Sequence, residues 1–333
     1  MNNILVIGAG TWGIAVSHLL CRNGHNVTVY GRNHEHIKKI IKTRTYDKLP
    51  GLLINKNIDF TSNLRESISN KNIIIFAVPS NAFRNVVNET VSSVNGKEYF
   101  ITLTKGIENK TLFTMSEVID DELKKKNINS KRIIALSGPT HAEEVAVDMP
   151  TMVVSASKNL QSAKYIQDVF MNDTFRVYTN KDIKGVELCA AFKNIIAISS
   201  GLLTGMGFGD NIKAATITRG IAEMVRAGKC MGCKKDTFYG LAGIGDMIVT
   251  ATSIHSRNYK FGKLIGEGYT TEKALKKIGM VVEGYNFLPT AIKIKNKFKL
   301  DLPVTNGIYQ IVINGEKPKK ILKLLMTRSK KSE

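Results

Sequence analysis

The chain has 333 residues, 43% hydrophobic and 23% charged, with Lys and Arg outnumbering Asp and Glu by 48 to 28. That composition is ordinary for a soluble globular protein and long enough for two domains with their own cores, but a net charge of +20 favours anionic partners. No basic helix is interleaved with aromatics, which argues against nucleic acid, and no apolar run approaches the ~18 residues of a membrane span.

The first residues lack a signal-peptide layout, because Ile4–Ile7 runs straight into glycines. A cytoplasmic protein without stable membrane insertion is therefore expected. Cys21, Cys189, Cys230 and Cys233 suggest no disulfide framework in a chain of this size. Cys230-Met-Gly-Cys233 is a lone CxxC with no second pair and no nearby His, so it reads as a reduced loop pair, and no metal is expected.

Ile4–Ile7 is an apolar run suited to a buried parallel strand. It leads into Gly8-Ala-Gly10-Thr11-Trp12-Gly13, an amphipathic helix to Cys21, and a second strand at Asn26–Tyr30. In that context the GxGxxG spacing points to a dinucleotide. Gly8 permits the tight turn, Gly10 lets the backbone approach a pyrophosphate, and Gly13 lets helix and strand pack closely. The helix start then receives the phosphate charge. The second strand ends in Gly31-Arg32-Asn33 rather than in the Asp or Glu of a NAD-specific site. Arg32 suits a 2′-phosphate, so NADP(H) is expected to be accepted alongside NAD(H).

Ile73–Val78 is a further buried strand stopped by Pro79, with Ser80 placed to cap the next helix. Tyr99–Leu103 is a strand followed at once by Thr104-Lys105-Gly106, and Thr111 is placed to cap a helix running to about Lys125. Arg132–Leu136 is a strand ending in Ser137-Gly138-Pro139-Thr140-His141, and Thr151–Ala156 and Phe175–Tyr178 complete the sheet. Ligands of doubly wound sheets bind beyond the carboxyl ends of strands, which puts Lys105 and Gly138–Thr140 where cofactor and substrate would meet.

After Tyr178 helical periodicity takes over. Glu187–Ser199 is apolar on nearly every side yet carries Lys193 and Asn194. Burying an unpaired ammonium costs several kcal/mol or its proton. Lys193 therefore reads as facing a cleft, the alternative being a head that snorkels to solvent. Asn211–Ala227 is the next predicted helix. Gly240-Leu-Ala-Gly243-Ile-Gly245 then delivers Asp246, with Thr250 four residues on and on the same face if the segment is helical. His255-Ser256-Arg257-Asn258 opens another helix with groups that suit a phosphate. Amphipathic helices follow at Thr270–Ile278, Tyr285–Phe298, Val304–Ile313 and Lys319–Met326, the first two separated by Val281-Val-Glu283-Gly284.

The blocks GAGTWG at 8–13, TKG at 104–106, SGPTHAEEVA at 137–146, ELCAAFKNIIAI at 187–198, GDNIKAATITRG at 209–220, GLAGIGDMIVT at 240–250, HSRN at 255–258 and VVEG at 281–284 resemble the bacterial NAD(P)-dependent sn-glycerol-3-phosphate dehydrogenase family. They run in order over most of the chain. The resemblance implies an α/β fold: a Rossmann-type, doubly wound, mostly parallel sheet at 1–182, then a separate all-helical substrate domain at 183–327 and a basic tail at 328–333. It implies a homodimer that reversibly reduces dihydroxyacetone phosphate to sn-glycerol 3-phosphate for glycerophospholipid synthesis.

By motif, Lys193 is the expected general acid/base, with Lys105 and Asp246 in the same substrate site. Gly138, Thr140, Ser256, Arg257 and Asn258 bind substrate, joined by Asn194 beside Lys193 and by Thr250. Thr11, Trp12, Arg32, Asn33, Lys105, Ala142, Arg257, Val281 and Glu283 line the cofactor. His141 departs from the family's usual Phe, and Thr140 replaces the more usual Ser while keeping its hydroxyl. The alternatives are another short-chain hydroxyacid or ketopantoate-type reductase, which shares a nucleotide domain, helices and a catalytic lysine, and a redox-sensing nucleotide-binding module.

Overall fold

The computed structural model describes residues 1–330, so Lys331–Glu333 of the expected basic tail lie outside the described residues. The chain divides into two compact units. The first comprises Met1–Glu108 and Phe113–Glu187, the second Asn109–Leu112 and the residues from Leu188 onward. The division falls between Glu187 and Leu188, where 182/183 was expected.

The first unit holds strands β1 (Asn3–Ile7), β2 (Asn26–Tyr30), β3 (Asp59–Thr61), β4 (Ile73–Phe76), β5 (Tyr99–Thr102), β6 (Ile133–Ser137), β7 (Thr151–Ala156) and β8 (Phe175–Asn180). Its helices are α1 (Thr11–Arg22), α2 (His34–Thr43), α3 (Leu64–Ile68), α4 (Phe83–Val91), α5 (Met115–Lys125), α6 (Ala142–Ala146) and α7 (Leu160–Phe170). The eight strands form one sheet in the order β3-β2-β1-β4-β5-β6-β7-β8. Every pairing is parallel except β6 with β7. Helices cover both faces, so β1 is apolar without alternation: Ile4, Leu5, Val6 and Ile7 are all fully buried. Ile4 and Val6 join one core cluster, and Leu5 and Ile7 join the other, on the opposite face. Each such side chain contributes about 1.5–3 kcal/mol. Strand order reverses at β1, whose neighbours are β2 and β4, and this reversal opens the crevice where such sheets bind ligands.

Several local expectations need correcting. The three-residue strand β3 had no predicted counterpart, because Asp-Phe-Thr is too short to show a period. Ser80 is not the N-cap of a helix; it lies inside a 3₁₀ turn at Ser80–Ala82 whose N-cap is Pro79, and α4 starts after it with Ala82 as its N-cap. Thr111 does not cap α5 either. Thr114 does, in a capping box with Glu117 that satisfies two helix-start N–H groups reciprocally.

Helix α8 (Ile183–Gly205) begins in the first unit and continues into the second. The second unit is helical, with α9 (Asp210–Cys230), α10 (Asp246–Thr252), α11 (Arg257–Gly266), α12 (Thr271–Ile278), α13 (Glu283–Lys297), α14 (Pro303–Val312) and α15 (Pro318–Met326). By length and composition α8 could cross a membrane, contrary to the expectation that no segment approaches that length. Scattered charges, Glu187 and Lys193, break the run without lowering its average enough to matter. The apolar window of α8 is wholly buried in protein, as befits a core helix.

Helices α8 and α11 meet along four glycines. A Cβ at Gly201 or Gly205 would lie 2.0 or 2.1 Å from the carbonyl oxygens of Tyr259 and Lys263, and one at Gly262 or Gly266 would lie 2.0 or 2.2 Å from those of Ile198 and Leu202. Backbones this close exclude any side chain, and the seam fixes the start of α11 against the middle of α8.

Candidate active site

In the first unit the ends of parallel strands deliver the expected loops to one edge of the sheet. Gly8 has φ +124°, a conformation that L side chains rarely adopt, and a Cβ there would lie 2.4 Å from the Ala77 carbonyl oxygen. A Cβ at Gly13 would lie 1.9 Å from the Gly8 carbonyl oxygen, so α1 can only approach β1 with glycine there. Gly10 differs, since a Cβ there would meet no protein atom within 4 Å. It is the N-cap of α1, which has no side-chain cap and no acidic residue in its first turn. Glycine at this position is thus not demanded by the protein's own packing, and the α1 N–H groups face a cradle that suits an anionic pyrophosphate.

Helix α6 lies against α1, and Ala142, Val145 and Ala146 share a core cluster with Ile14 and Ala15. That packing brings Ala142 to the α1 side of the sheet edge despite the long separation in sequence. At the β5 end the Thr104 hydroxyl donates to the Val78 carbonyl at 2.7 Å, and at the β6 end the Gly138 carbonyl accepts from Lys105 Nζ at 3.3 Å and from the Thr140 hydroxyl at 3.2 Å. Lys105, Gly138 and Thr140 therefore form one hydrogen-bonded group. Arg32 is exposed, just beyond β2.

In the second unit Lys193 and Asp246 are 4% and 1% exposed. Lys193 Nζ donates to an Asp246 carboxylate oxygen and, at 2.8 Å, to the Thr250 hydroxyl oxygen. The Thr250 hydroxyl in turn donates to the Asp246 backbone carbonyl at 2.6 Å, so its oxygen is left as an acceptor for the lysine. The snorkelling alternative for Lys193 is excluded by this burial and pairing. A single π-helical turn at Leu241–Gly245, with Gly245 N–H bonded to the Gly240 carbonyl at 3.3 Å, delivers Asp246 as the first residue of α10. Gly243 makes this possible, since a Cβ there would lie 2.0 Å from the Phe238 carbonyl oxygen.

Beside the lysine, Asn194 Oδ1 accepts from Asn258 Nδ2 at 2.9 Å, and Asn258 Oδ1 accepts from the Gly284 N–H at 2.9 Å. Asn258 thereby ties α8, α11 and the first turn of α13, next to Glu283. The Ser256 hydroxyl oxygen caps α11 by accepting from the Tyr259 N–H at 3.2 Å, and Arg257 is exposed at the first helical position. Among the described residues no group of His, Cys, Asp and Glu is arranged to hold a metal ion.

The sequence matches the family description "NAD-dependent glycerol-3-phosphate dehydrogenase N-terminus" over residues 3–163 and its "C-terminus" counterpart over residues 182–323. It is 46% identical to glycerol-3-phosphate dehydrogenase (NAD(P)+) 2 of Lactobacillus delbrueckii subsp. bulgaricus, over 100% of this chain and 99% of that protein. The chain belongs to the NAD-dependent glycerol-3-phosphate dehydrogenase family. The crystal structure of glycerol-3-phosphate dehydrogenase from Coxiella burnetii superposes with a TM-score of 0.93 at 33% identity, covering 98% of this chain and 99% of that one. A ketopantoate reductase from Ralstonia eutropha reaches a TM-score of 0.61 at 13% identity, covering 96% and 99%, and shares the fold alone.

Within this dehydrogenase some expected site residues have structural work as well. Asn33 caps α2 by accepting from the His36 N–H at 2.9 Å, and half-buried Trp12 packs on the core of the sheet. Glu187, seven residues before Asn194 in α8, accepts from the Ser116 N–H at 2.8 Å and from its hydroxyl. Burial pushes the Glu187 carboxyl up to about 7, against the pull of those hydrogen bonds. The loop Ala77–Ser80 was not among the expected site residues, yet it backs Gly8 and is pinned by Thr104. A strand stopped by Pro at a crossover is its sequence signal.

Proposed function

We propose that this chain catalyses the reversible reduction of dihydroxyacetone phosphate to sn-glycerol 3-phosphate, with Lys193 as the general acid/base at the C2 oxygen. The reading is supported chiefly by one observation in a member of this family: an ammonium buried in an apolar helix and oriented by Asp246 and Thr250. The Gly8–Gly13 cradle and Arg32 would hold a nicotinamide cofactor, which would supply or accept the hydride when bound. Reducing the ketone builds negative charge on its oxygen, which a lysine both stabilises and protonates.

Asp246 and Thr250 hold the ammonium in one orientation, so little reorganisation is needed as that charge develops. Ser256, Arg257 and Asn258 at the start of α11 are the proposed phosphate-binding group, where helix N–H groups and a guanidinium converge in type. Lys105, tethered to the Gly138 carbonyl with Thr140, is the proposed further cationic contact to substrate. The same reading carries the homodimer and the cytoplasmic location that the family resemblance implies.

NADPH oxidation with dihydroxyacetone phosphate, against ketopantoate and no substrate, tests it. Turnover is expected with the first alone. Lys193→Ala is expected to lose most of kcat while NADPH binding stays nearly intact; normal turnover in that variant would remove the lysine from the mechanism.

A further inference from the structure

At the opposite edge of the sheet from the glycine cradle, the amino ends of β4, β5 and β6 enclose a polar groove of about 400 Å³, within the usual range of small-molecule sites. Its walls include Lys71, Lys97 and Arg132, the amides of Asn70 and Asn72, and Glu98. One side is a stack in which the Arg132 guanidinium lies 4.9 Å from the Tyr99 ring centroid and Tyr99 lies 4.4 Å from Tyr165. Arg132 also donates to the Lys97 carbonyl, which together with the stack fixes the plane of its guanidinium.

The charge balance of this groove is unlike that around Arg84, another half-buried cation of the unit. Arg84 is met by Glu108, Asp121 and Glu122. Lys71, Lys97 and Arg132 form no ion pair among the described residues, although the Asp59 carboxylate lies near enough to act on Lys71. Lys71 is half-buried and donates to the Thr28 hydroxyl at 2.7 Å; burial pushes its ammonium down, with Asp59 opposing. Glu98, the carboxylate in the wall, accepts from the Asn95 N–H at 3.2 Å and the Gly96 N–H at 2.9 Å, in a turn set by Gly96 at φ +86°. Cations held in place without a carboxylate paired to them, beside amide donors, are arranged for an anion that arrives from outside.

We propose that this groove is a second ligand site, distinct from the cofactor cradle, for a small phosphorylated molecule carrying two or more negative charges. Lys71 and Lys97 supply point charges and Arg132 a planar donor pair for the phosphoryl oxygens.

Calorimetric titration of the full chain with pyrophosphate, at fixed ionic strength and saturating NADPH, tests the assignment. Arg257→Gln serves as background to remove the proposed substrate-phosphate contact. One binding event is expected to persist in that background and to weaken about tenfold or more when Lys71→Gln and Lys97→Gln are added. The exposed change Lys97→Glu alone should weaken it in the same direction, which covers the case that the combined variant folds poorly. On the otherwise unmodified chain, Lys71→Gln and Lys97→Gln should leave NADPH-dependent turnover unchanged. Absence of any binding event in the Arg257→Gln background, or affinity unaltered by Lys97→Glu, would overturn the proposal.

Discussion

Replacing Asp246 by Ala removes the carboxylate that faces a lysine exposed to only 4%. What remains near Lys193 includes the Thr250 hydroxyl, a neutral dipole at 2.8 Å, which offsets only part of the desolvation of an ammonium. Breaking a buried ion pair from one side typically costs about 3–5 kcal/mol, whereas removing both charges costs much less. Against a total stability of about 5–15 kcal/mol that loss is large. Asp246 also begins α10, where its charge meets the helix dipole, so up to about 1 kcal/mol of the loss has nothing to do with the lysine.

A double-mutant cycle with Lys193→Met separates the two contributions, and a coupling energy of about 2 kcal/mol or more is expected. Urea unfolding should be followed by far-UV circular dichroism for the helical unit, because the chain's one tryptophan, Trp12, reports on the other. An Asp246→Ala transition within about 0.5 kcal/mol of the wild type, or additive effects in the cycle, would refute the buried, paired lysine.

Two further outcomes are expected. Because the folded-state pKa of Glu187 is raised to about 7, its contribution is fully present below pH ~4.5 and is lost as pH rises through 7, a swing of about 3 kcal/mol. Glu187→Gln should therefore gain stability relative to the wild type between pH 5 and pH 8, and a difference that does not change with pH in urea titrations would contradict the buried carboxyl. Gly262→Ala places a methyl 2.0 Å from the Ile198 carbonyl oxygen, and the resulting strain, about 2 kcal/mol or more, should exceed the ~1 kcal/mol Ala gains over Gly in a helix. A thermal midpoint equal to or above the wild type would show that α8 and α11 are not so close.

Much of the first unit was legible because its information is local. A strand buried on both faces must be apolar throughout, so Ile4–Ile7 and Ile73–Phe76 announce themselves, and the glycine spacing after the first fixes where the pyrophosphate cradle forms. Lys193 was conspicuous for the same reason, as a charge where the pattern demands none. Less visible were features that depend on a partner remote in the chain. The antiparallel pairing of β7 with β6 leaves no mark on Thr151–Ala156, and the i, i+4 glycines of α8 and α11 look like helix-weakening choices until their backbones meet.

The sequence by itself determined the two-part organisation, the dinucleotide cradle and the identity of the unusual lysine, because periodicity and forbidden burial are properties of single segments. Only the tertiary structure decided what the lysine does with its charge. Its partners, Asp246 and Thr250, come from another helix, and the glycine-rich stretch before them folds as a π turn that sets their register toward it. Pairing energy depends on distance and burial, and neither exists until the chain has folded.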